Sequence, residues 1–522
     1  MPNALSLTLL FPLLGALAIA FVPATYRFLI RLIALISAGL TLICGLIVFL
    51  SFDASAAGYQ FKQAVSWVDA LGIQYKVGVD GINVGIILMG CIVAFSATCV
   101  SYPIIERVKE FYLLLLLMIA GILGAFASLD LFFFFFFHEL ALIPTFIMIG
   151  VWGRGENRNY ATFNITLYLS AGALIALIGL IALYLSSNPR TFDIEQLTAQ
   201  FQQSQMPLPT QRFIFPLLLF GFGILVSLWP FHTWAPLGYG AAPTATAMLH
   251  AGVLKKFGLY GLLRIAFPLM PEAAHTWLNV ITFLCLGNII YNGFVAMRQR
   301  DLNQLIGNSS VAHMGFIFLG VASLNIVGVT GAVLIMVAHG LLAALSFALS
   351  GFFYKEAGTL DMDRMGGFLQ KMPFIGSAFL IAAMAGCGLP GFANFVGEAM
   401  TLFGAFQQFP MVVSFAVWGG LVIAAIYMLR AVRSILHGPL PEDLARISDA
   451  QGWWRKLPFA LLFATLLLFG VWPRALTEKI QPSAERILRL ATRNSNPGAP
   501  RLPQPATVAQ LQSAPAPSST IP

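Results

Sequence analysis

The sequence predicts an all-α polytopic membrane protein with about fourteen membrane-spanning helices, and three observations predict it. Hydrophobic residues make up 58% of the 522-residue chain and charged residues only 10%, where a water-soluble protein carries about a quarter. Apolar runs recur from Leu9 to Val471, most of them reaching the ~18 residues that cross hydrocarbon as a helix. Two of those runs contain a proline break, one at Trp229-Pro230 and one at Gly388-Leu389-Pro390-Gly391. The composition excludes a disulfide scaffold and a disordered chain. The net charge of +8 is spread over short loops, so no nucleic-acid partner is expected either.

Each element follows from its run. The first span, 4–22, has no basic residues ahead of it and no small-residue cleavage motif, so it is expected to be retained rather than removed as a signal. The second and third are placed at 29–52 and 81–102. Between them, residues 53–80 alternate from Tyr59 to Asp69 and carry Gly58, Gly72 and Gly78, the pattern of a short hairpin. Further spans are placed at 111–129, 131–153, 163–186, 213–232, 242–267, 274–297, 303–324 and 327–355. The run 372–408 is too long for one straight crossing and is broken at Pro390; spans at 411–436 and 455–473 complete the set. From Asn496 to Pro522 the chain is rich in Pro, Ala, Ser and Gln, which reads as disordered. Cys44, Cys91, Cys99, Cys285 and Cys387 lie singly in apolar stretches, so no metal site is expected.

The charges sort by side. Odd-numbered connections and their flanks hold Arg27, Arg31, Arg107, Lys109, Arg154, Arg158, Arg298, Arg300, Lys355, Arg364, Lys371, Arg430, Arg433, Arg446, Arg455 and Lys456. Even-numbered ones hold only Lys62, Lys76, Arg190 and Arg212, with Arg264 near a helix end. The positive-inside rule then puts both termini on the side away from the cytoplasm. Five spans in 111–267 and five in 268–436 each have their fourth member broken, which predicts two inverted five-helix repeats with broken helices 7 and 12. Residues 1–110 form an N-terminal unit with the hairpin, 437–475 the last loop and helix 14, and 476–522 a polar tail.

Ionisable residues at bilayer depth are costly, so each is a functional candidate. Glu139 follows Phe132–Phe137 and His138; Lys255 and Lys256 lie in HAGVLKKFGLYG; Glu398 lies just past the Pro390 break. His232, His250, His313 and His339 join them, although a lone histidine in a bundle more often makes only a helix–helix hydrogen bond. A buried carboxylate and a buried ammonium both lose part of their preference for the charged form, so a row of Glu, Lys and His can pass protons. On a regular helix Lys255 and Lys256 differ by ~100° and cannot face one cavity together. Lys256 is favoured as the inward one.

FFFFFFHELALIPTFIMIGVWG, WPFHTWAPLGYGAAPTATAMLHAGVLKKFGLYGLLR, DLNQLIGNSSVAHMGFIFLG, VAHGLLAALSF and LPGFANFVGE together resemble the antiporter-like proton-pumping subunits of the complex I family, over nearly all of residues 80–475. The same fold is shared with large subunits of multisubunit sodium/proton antiporters. Glu398, where sister subunits typically place a lysine, and the chain's end after the fourteenth span look like the chain 4 (D- or M-type) subunit. The resemblance implies a proton relay of Glu139, Lys256, His313, His339 and Glu398, with Lys255, His250, His138 and His232 as further candidates. It also implies a seventh-helix lysine that is missing here, its place taken by Leu225. His138, His250 and Lys255 depart from the usual pattern nearby, and one of them is expected to compensate as partner to Glu139. These departures and the polar tail look like the cyanobacterial photosynthetic variant associated with CO2 uptake. That would place the chain in the thylakoid membrane, both termini luminal. It would couple plastoquinone reduction in a type-1 NAD(P)H or ferredoxin dehydrogenase to proton transport. Expected partners are lipids, neighbouring antiporter-like B-type and F-type subunits, and a CO2-hydrating peripheral module. No cofactor is expected in this chain; iron–sulfur clusters, plastoquinone and FMN would lie elsewhere in the complex. Alternatives are a sodium/proton antiporter subunit without redox coupling and a transport-impaired spacer.

Overall fold

The computed structural model describes residues 3–56 and 58–492. All fourteen spans are present. Eleven are continuous helices long and apolar enough to cross a membrane: Ala4–Phe21, Arg27–Leu50, Val108–Ala127, Leu131–Trp152, Arg158–Ser186, Leu208–Val226, Pro271–Arg298, Leu302–Ala322, Ile326–Ala357, Pro410–Leu436 and Trp453–Val471. The third is the shorter helix Val84–Val100. The eighth is assembled from Thr244–Gly252, a 3-10 turn at Leu254–Lys256, Phe257–Gly261, a π segment at Leu262–Ala266 and Phe267–Leu269. The twelfth is split into Pro373–Gly386 and Ala393–Phe406. The tenth and eleventh helices are buried along their apolar length and form the centre of the bundle. Outer helices instead expose large side chains such as Leu17, Phe28, Phe163 and Leu174, the face an apolar solvent requires.

Both breaks are locally supported. The seventh span ends at Val226 with Ser227 in the left-handed region, and the chain restarts as the helix Trp234–Ala241. Asn288 of the ninth span satisfies the freed backbone between them. Its Nδ2 donates to Ser227 O and Val311 O, each at 3.0 Å, and its Oδ1 accepts from Trp229 N at 2.7 Å. At the twelfth span, Gly388 and Gly391 take positive φ, and Asp449 from the last loop caps the first half by accepting from Phe374 N and Ile375 N at 2.7 and 3.2 Å.

A matched backbone clasp marks the inverted repeats. Asp130, the N-cap of the fifth helix, pairs with Asp193 through Leu131 N to Phe192 O at 2.8 Å and Ile194 N to Leu129 O at 2.9 Å. Asp301, the N-cap of the tenth, pairs with Asp361 through Leu302 N to Leu360 O and Met362 N to Arg300 O, both at 2.9 Å. Each clasp joins the start of a repeat's second helix to the chain leaving its third, and odd and even connections put the two clasps on opposite sides.

The connection between the second and third spans contains an antiparallel hairpin of Gln60–Val68 and Ile73–Val79. Several helices lie outside the sequence-based spans, among them Trp234–Ala241 and two more. Ile194–Gln203 is a short amphipathic helix capped by Asp193. Arg474–Ala491 occupies the start of what the sequence suggests is a polar tail; its apolar residues Leu476, Ile480, Ala484, Ile487 and Ala491 are buried. That period of 3.6 was hidden by a polar average composition. The tail segment Asn496–Pro522 lies outside the described residues.

Candidate functional site

The eighth span carries two lysines into the core because its helix is interrupted where they lie. Val253 leaves helical geometry (φ −120°, ψ −62°), and the 3-10 turn that follows holds Lys255 and Lys256 fully buried. Successive residues in a 3-10 turn diverge by about 120°, so the two side chains part even more than on an α-helix. Lys256 turns toward the eleventh helix. Its Nζ donates to Ala251 O at 2.6 Å and lies 2.9 Å from His339 Nδ1. Lys255 turns toward the tenth helix, donating to Ser310 Oγ at 3.3 Å with its Nζ 5.6 Å above the Tyr239 ring.

From Lys256 the polar groups continue in one direction. The rings of His339 and His313 are 5.3 Å apart between centroids. His313 Nδ1 bonds Ser309 O at 2.8 Å, and its Nε2 lies 3.4 Å from Glu398 Oε1. A carbonyl oxygen only accepts, so Nδ1 of His313 carries its proton and Nε2 is the nitrogen that faces Glu398. By the same argument a protonated Lys256 donates to His339 Nδ1. Four buried side chains from the eighth, eleventh, tenth and twelfth spans thus form one row across both repeats.

The other candidates are distributed differently. Glu139 is 30% exposed in its side chain, and its one ion-pair partner among the described residues is His138, at 3.3 Å. It shares an outward face with the exposed Phe136 and Ile143. His138 is buried, its ring stacked on Phe257 at 4.1 Å, next in sequence to Lys256. Leu225, where the family resemblance implies a lysine, is buried just before the seventh-span break. His250 Nδ1 pairs with Tyr239 OH at 3.1 Å, while its Nε2 has no hydrogen-bond partner. Of the three groups proposed to compensate for Leu225, His138 is the one in contact with Glu139. His232 is buried edge-on to Tyr291 at 5.6 Å and does not join the row.

Sequence reasoning missed a second buried cluster. Arg264 is inside the bundle, not at a solvated helix end: it makes a bidentate pair with Asp80 at 2.7 and 2.6 Å and bonds Tyr59 OH at 3.0 Å and Tyr260 OH at 3.2 Å. Arg486 of the C-terminal helix adds a third contact to Asp80 at 3.0 Å. Burial works against the charge of Asp80, yet the two guanidinium groups together hold its carboxyl below the usual carboxylate range. This cluster ties the hairpin, the third and eighth spans and the final helix together. Tyr239, Ser309, Ser310 and Tyr427 were also unassigned; Ser309 Oγ and Tyr427 OH are 3.0 Å apart beside the row. Only the polar run NSSVAH in an otherwise apolar helix signals the two serines.

The family signature described as NADH:quinone oxidoreductase/Mrp antiporter, TM, matches residues 128–424. The chain is 34% identical to NADH-quinone oxidoreductase subunit M of Rhodobacter capsulatus over 504 residues, covering 94% of this chain and 97% of that one. It is 33% identical to NAD(P)H-quinone oxidoreductase chain 4 of Gloeobacter violaceus over 500 residues, 93% of each. A chain of the solved respiratory complex I from Thermus thermophilus superposes with a TM-score of 0.84 at 29% identity, over 94% of this chain and 99% of that one. The chain therefore belongs to the NADH:quinone oxidoreductase/Mrp antiporter transmembrane family, as an antiporter-like subunit of the complex I membrane arm of the M, or chain 4, type.

Proposed function

We propose that this chain translocates protons within the membrane arm of a quinone-reducing complex, passing them along Lys256, His339, His313 and Glu398. The observation that carries this reading is the continuity of that row, with 2.9 Å at one end and 3.4 Å at the other. A lysine and a glutamate buried without a shared counter-charge are costly for mere packing. Each imidazole between them can accept at one nitrogen and release from the other. Glu139 and His138 form the input side, at a surface where a neighbouring subunit rather than lipid covers the carboxylate. The arginine-rich connections face the cytoplasm, so Glu398 lies toward the exit. Redox cofactors and quinone belong to other subunits.

The test is proton uptake per electron by the assembled complex in inverted vesicles. Lys256→Met and Glu398→Gln should each lower it at least about tenfold while native gels show intact assembly. Unchanged uptake in both would overturn the reading. The family description also names Mrp antiporters, and sodium-dependent exchange without co-purifying redox subunits would favour that alternative. A narrower carbon-uptake role in a thylakoid rests on the departures at His138, Leu225, His250 and Lys255. A zinc-binding peripheral subunit on the purified complex would support it; purely respiratory partners would remove it.

A further inference from the structure

The ninth and thirteenth spans each contain a π segment, Gly287–Tyr291 and Trp418–Ile423, and the two segments lie against each other. A π segment closes its hydrogen bonds over five residues instead of four and widens the helix locally. On the inner side the backbones meet through glycine: a Cβ at Gly419 would run into Ile289, and one at Gly293 into Ile423. On the outer side the same segments leave a groove of about 340 Å³. Ile290, Phe294 and Met297 of the ninth span form one wall, and Trp418, Val422 and Ile426 of the thirteenth form the other.

The spacing of these residues, three or four apart on each helix, puts each wall on a single helix face. Every one of them is apolar, and Phe294 and Trp418 are more than half exposed. An apolar outer face is ordinary in hydrocarbon, but a concave one has to be filled. The groove ends among arginines. Arg430 lies one turn past Ile426, Arg433 one turn further on the same face, and Arg298 directly follows Met297. Arg430 Nη2 donates to Gln299 O and reaches Ala296 O at 3.5 Å. Those two carbonyls flank Met297, so the guanidinium sits at the mouth of the groove.

These charges are unanswered within the chain. Arg300 and Arg107, on the same arginine-rich side, pair with Asp363 and Glu110, each at 3.4 Å. Among the described residues Arg298, Arg430 and Arg433 form no ion pair with a carboxylate, and Arg430 Nε is shielded from solvent without a hydrogen-bond partner. A guanidinium presents parallel N–H donors that match a phosphate. Basic side chains at the end of an apolar cleft between spans are the recognition chemistry of an anionic phospholipid headgroup. Eight residues of helix separate Ile426 from Trp418, a path of about 12 Å, which fits within the ~15 Å of hydrocarbon in one leaflet.

We propose that this groove binds one anionic phospholipid, with an acyl chain lying between the ninth and thirteenth spans and the phosphate held by Arg430 and flanked by Arg298 and Arg433. A helix of a neighbouring subunit would bury the apolar walls equally well but would leave the three arginines without an anion. The site shares no residue with the relay, so the two readings stand independently.

The test places the assembled complex in phosphatidylethanolamine vesicles containing phosphatidylglycerol with a photoactivatable diazirine on one acyl chain, and maps the labelled peptides by mass spectrometry. Label should fall on residues 287–297 and 415–426. Unlabelled phosphatidylglycerol should displace it, and phosphatidylcholine should not. An arginine near the membrane surface contributes about fivefold in affinity. Arg430→Gln should therefore raise the lipid concentration for half-maximal labelling about fivefold, and Arg298→Gln combined with it about 25-fold. Val422→Trp fills the groove without changing a charge and should abolish the label in a complex that still assembles, a result independent of any loosening that Arg430→Gln causes. Equal displacement by phosphatidylcholine would reduce the groove to ordinary lipid contact and overturn the proposal. Absence of label from both segments of the native chain would show that a protein neighbour covers the groove, and would overturn it as well.

Discussion

Lys256 Nζ lies 2.9 Å from His339 Nδ1, and among the described residues neither side chain forms an ion pair with a carboxylate. The ammonium is held by dipoles alone, the Ala251 carbonyl and one imidazole nitrogen. Such a charge is easily given up, which is what a relay needs. Lys256→Arg keeps the charge but introduces a guanidinium that does not deprotonate in proteins. It should lower proton translocation as much as Lys256→Met does, at least about tenfold. Native translocation by the arginine variant, measured as vesicle acidification in the assembled complex, would mean that charge alone suffices.

The Glu139–His138 contact predicts a non-additive pair. His138→Phe preserves stacking on Phe257 and removes the imidazole beside Glu139. Glu139→Gln and His138→Phe should each reduce proton translocation strongly, and the double variant should be no worse than the more damaging single change. Undiminished translocation in Glu139→Gln would sink the idea that this pair compensates for the lysine absent at Leu225.

The spans were legible because each needs about twenty apolar residues in a row, a signal that neighbours cannot override. The buried charges were legible for the complementary reason, that so few charges interrupt those rows. The partners were not. Lys256 meets His339 from 83 residues away, and nothing in local spacing chooses His339 over His250. Leu225 pointed to a missing partner, but the outward placement of Glu139 depends on how the fifth helix rotates against the fourth. Arg264 looked like a helix-end charge because Asp80, which draws it inward, lies 184 residues earlier. The interruption at Val253 follows a single glycine, Gly252, and carries no proline of the kind that exposed the seventh and twelfth spans.

The Asp80 cluster predicts a stability effect of known sign. Asp80→Asn leaves the Arg264 guanidinium buried with its counter-charge gone, which costs about 3–5 kcal/mol. Arg486→Leu removes a contact from a side chain that is 39% exposed, and about 1 kcal/mol is the expected ceiling once solvent screening is included. Thermal unfolding of the purified complex should rank the two in that order. Limited proteolysis should release the helix Arg474–Ala491 earlier in Asp80→Asn than in Arg486→Leu. The reverse ranking would show that the C-terminal helix, and not the buried guanidinium, dominates the cluster.

Asp130 predicts the pH dependence. Burial pushes its carboxyl up to about 6, even though Gln74 N, Phe133 N and Phe132 N all donate to it and favour the anion. A carboxyl whose pKa is raised in the folded state gives stability that is complete below the ordinary aspartate range and is lost as pH rises through about 6. Asp80 and Glu195 are held below their ordinary values, so their contributions move the other way, weakening as pH falls. Only a difference curve separates these effects. Asp130→Asn is uncharged throughout, so unfolding temperatures compared between about pH 4 and about pH 7 should show the native complex losing stability relative to the variant, by up to about 3 kcal/mol. A constant difference across that window would mean that the anion is fully stabilised by the N–H groups of Gln74, Phe132 and Phe133. The hydrogen bonds at the start of the fifth helix would then outweigh the burial that surrounds them.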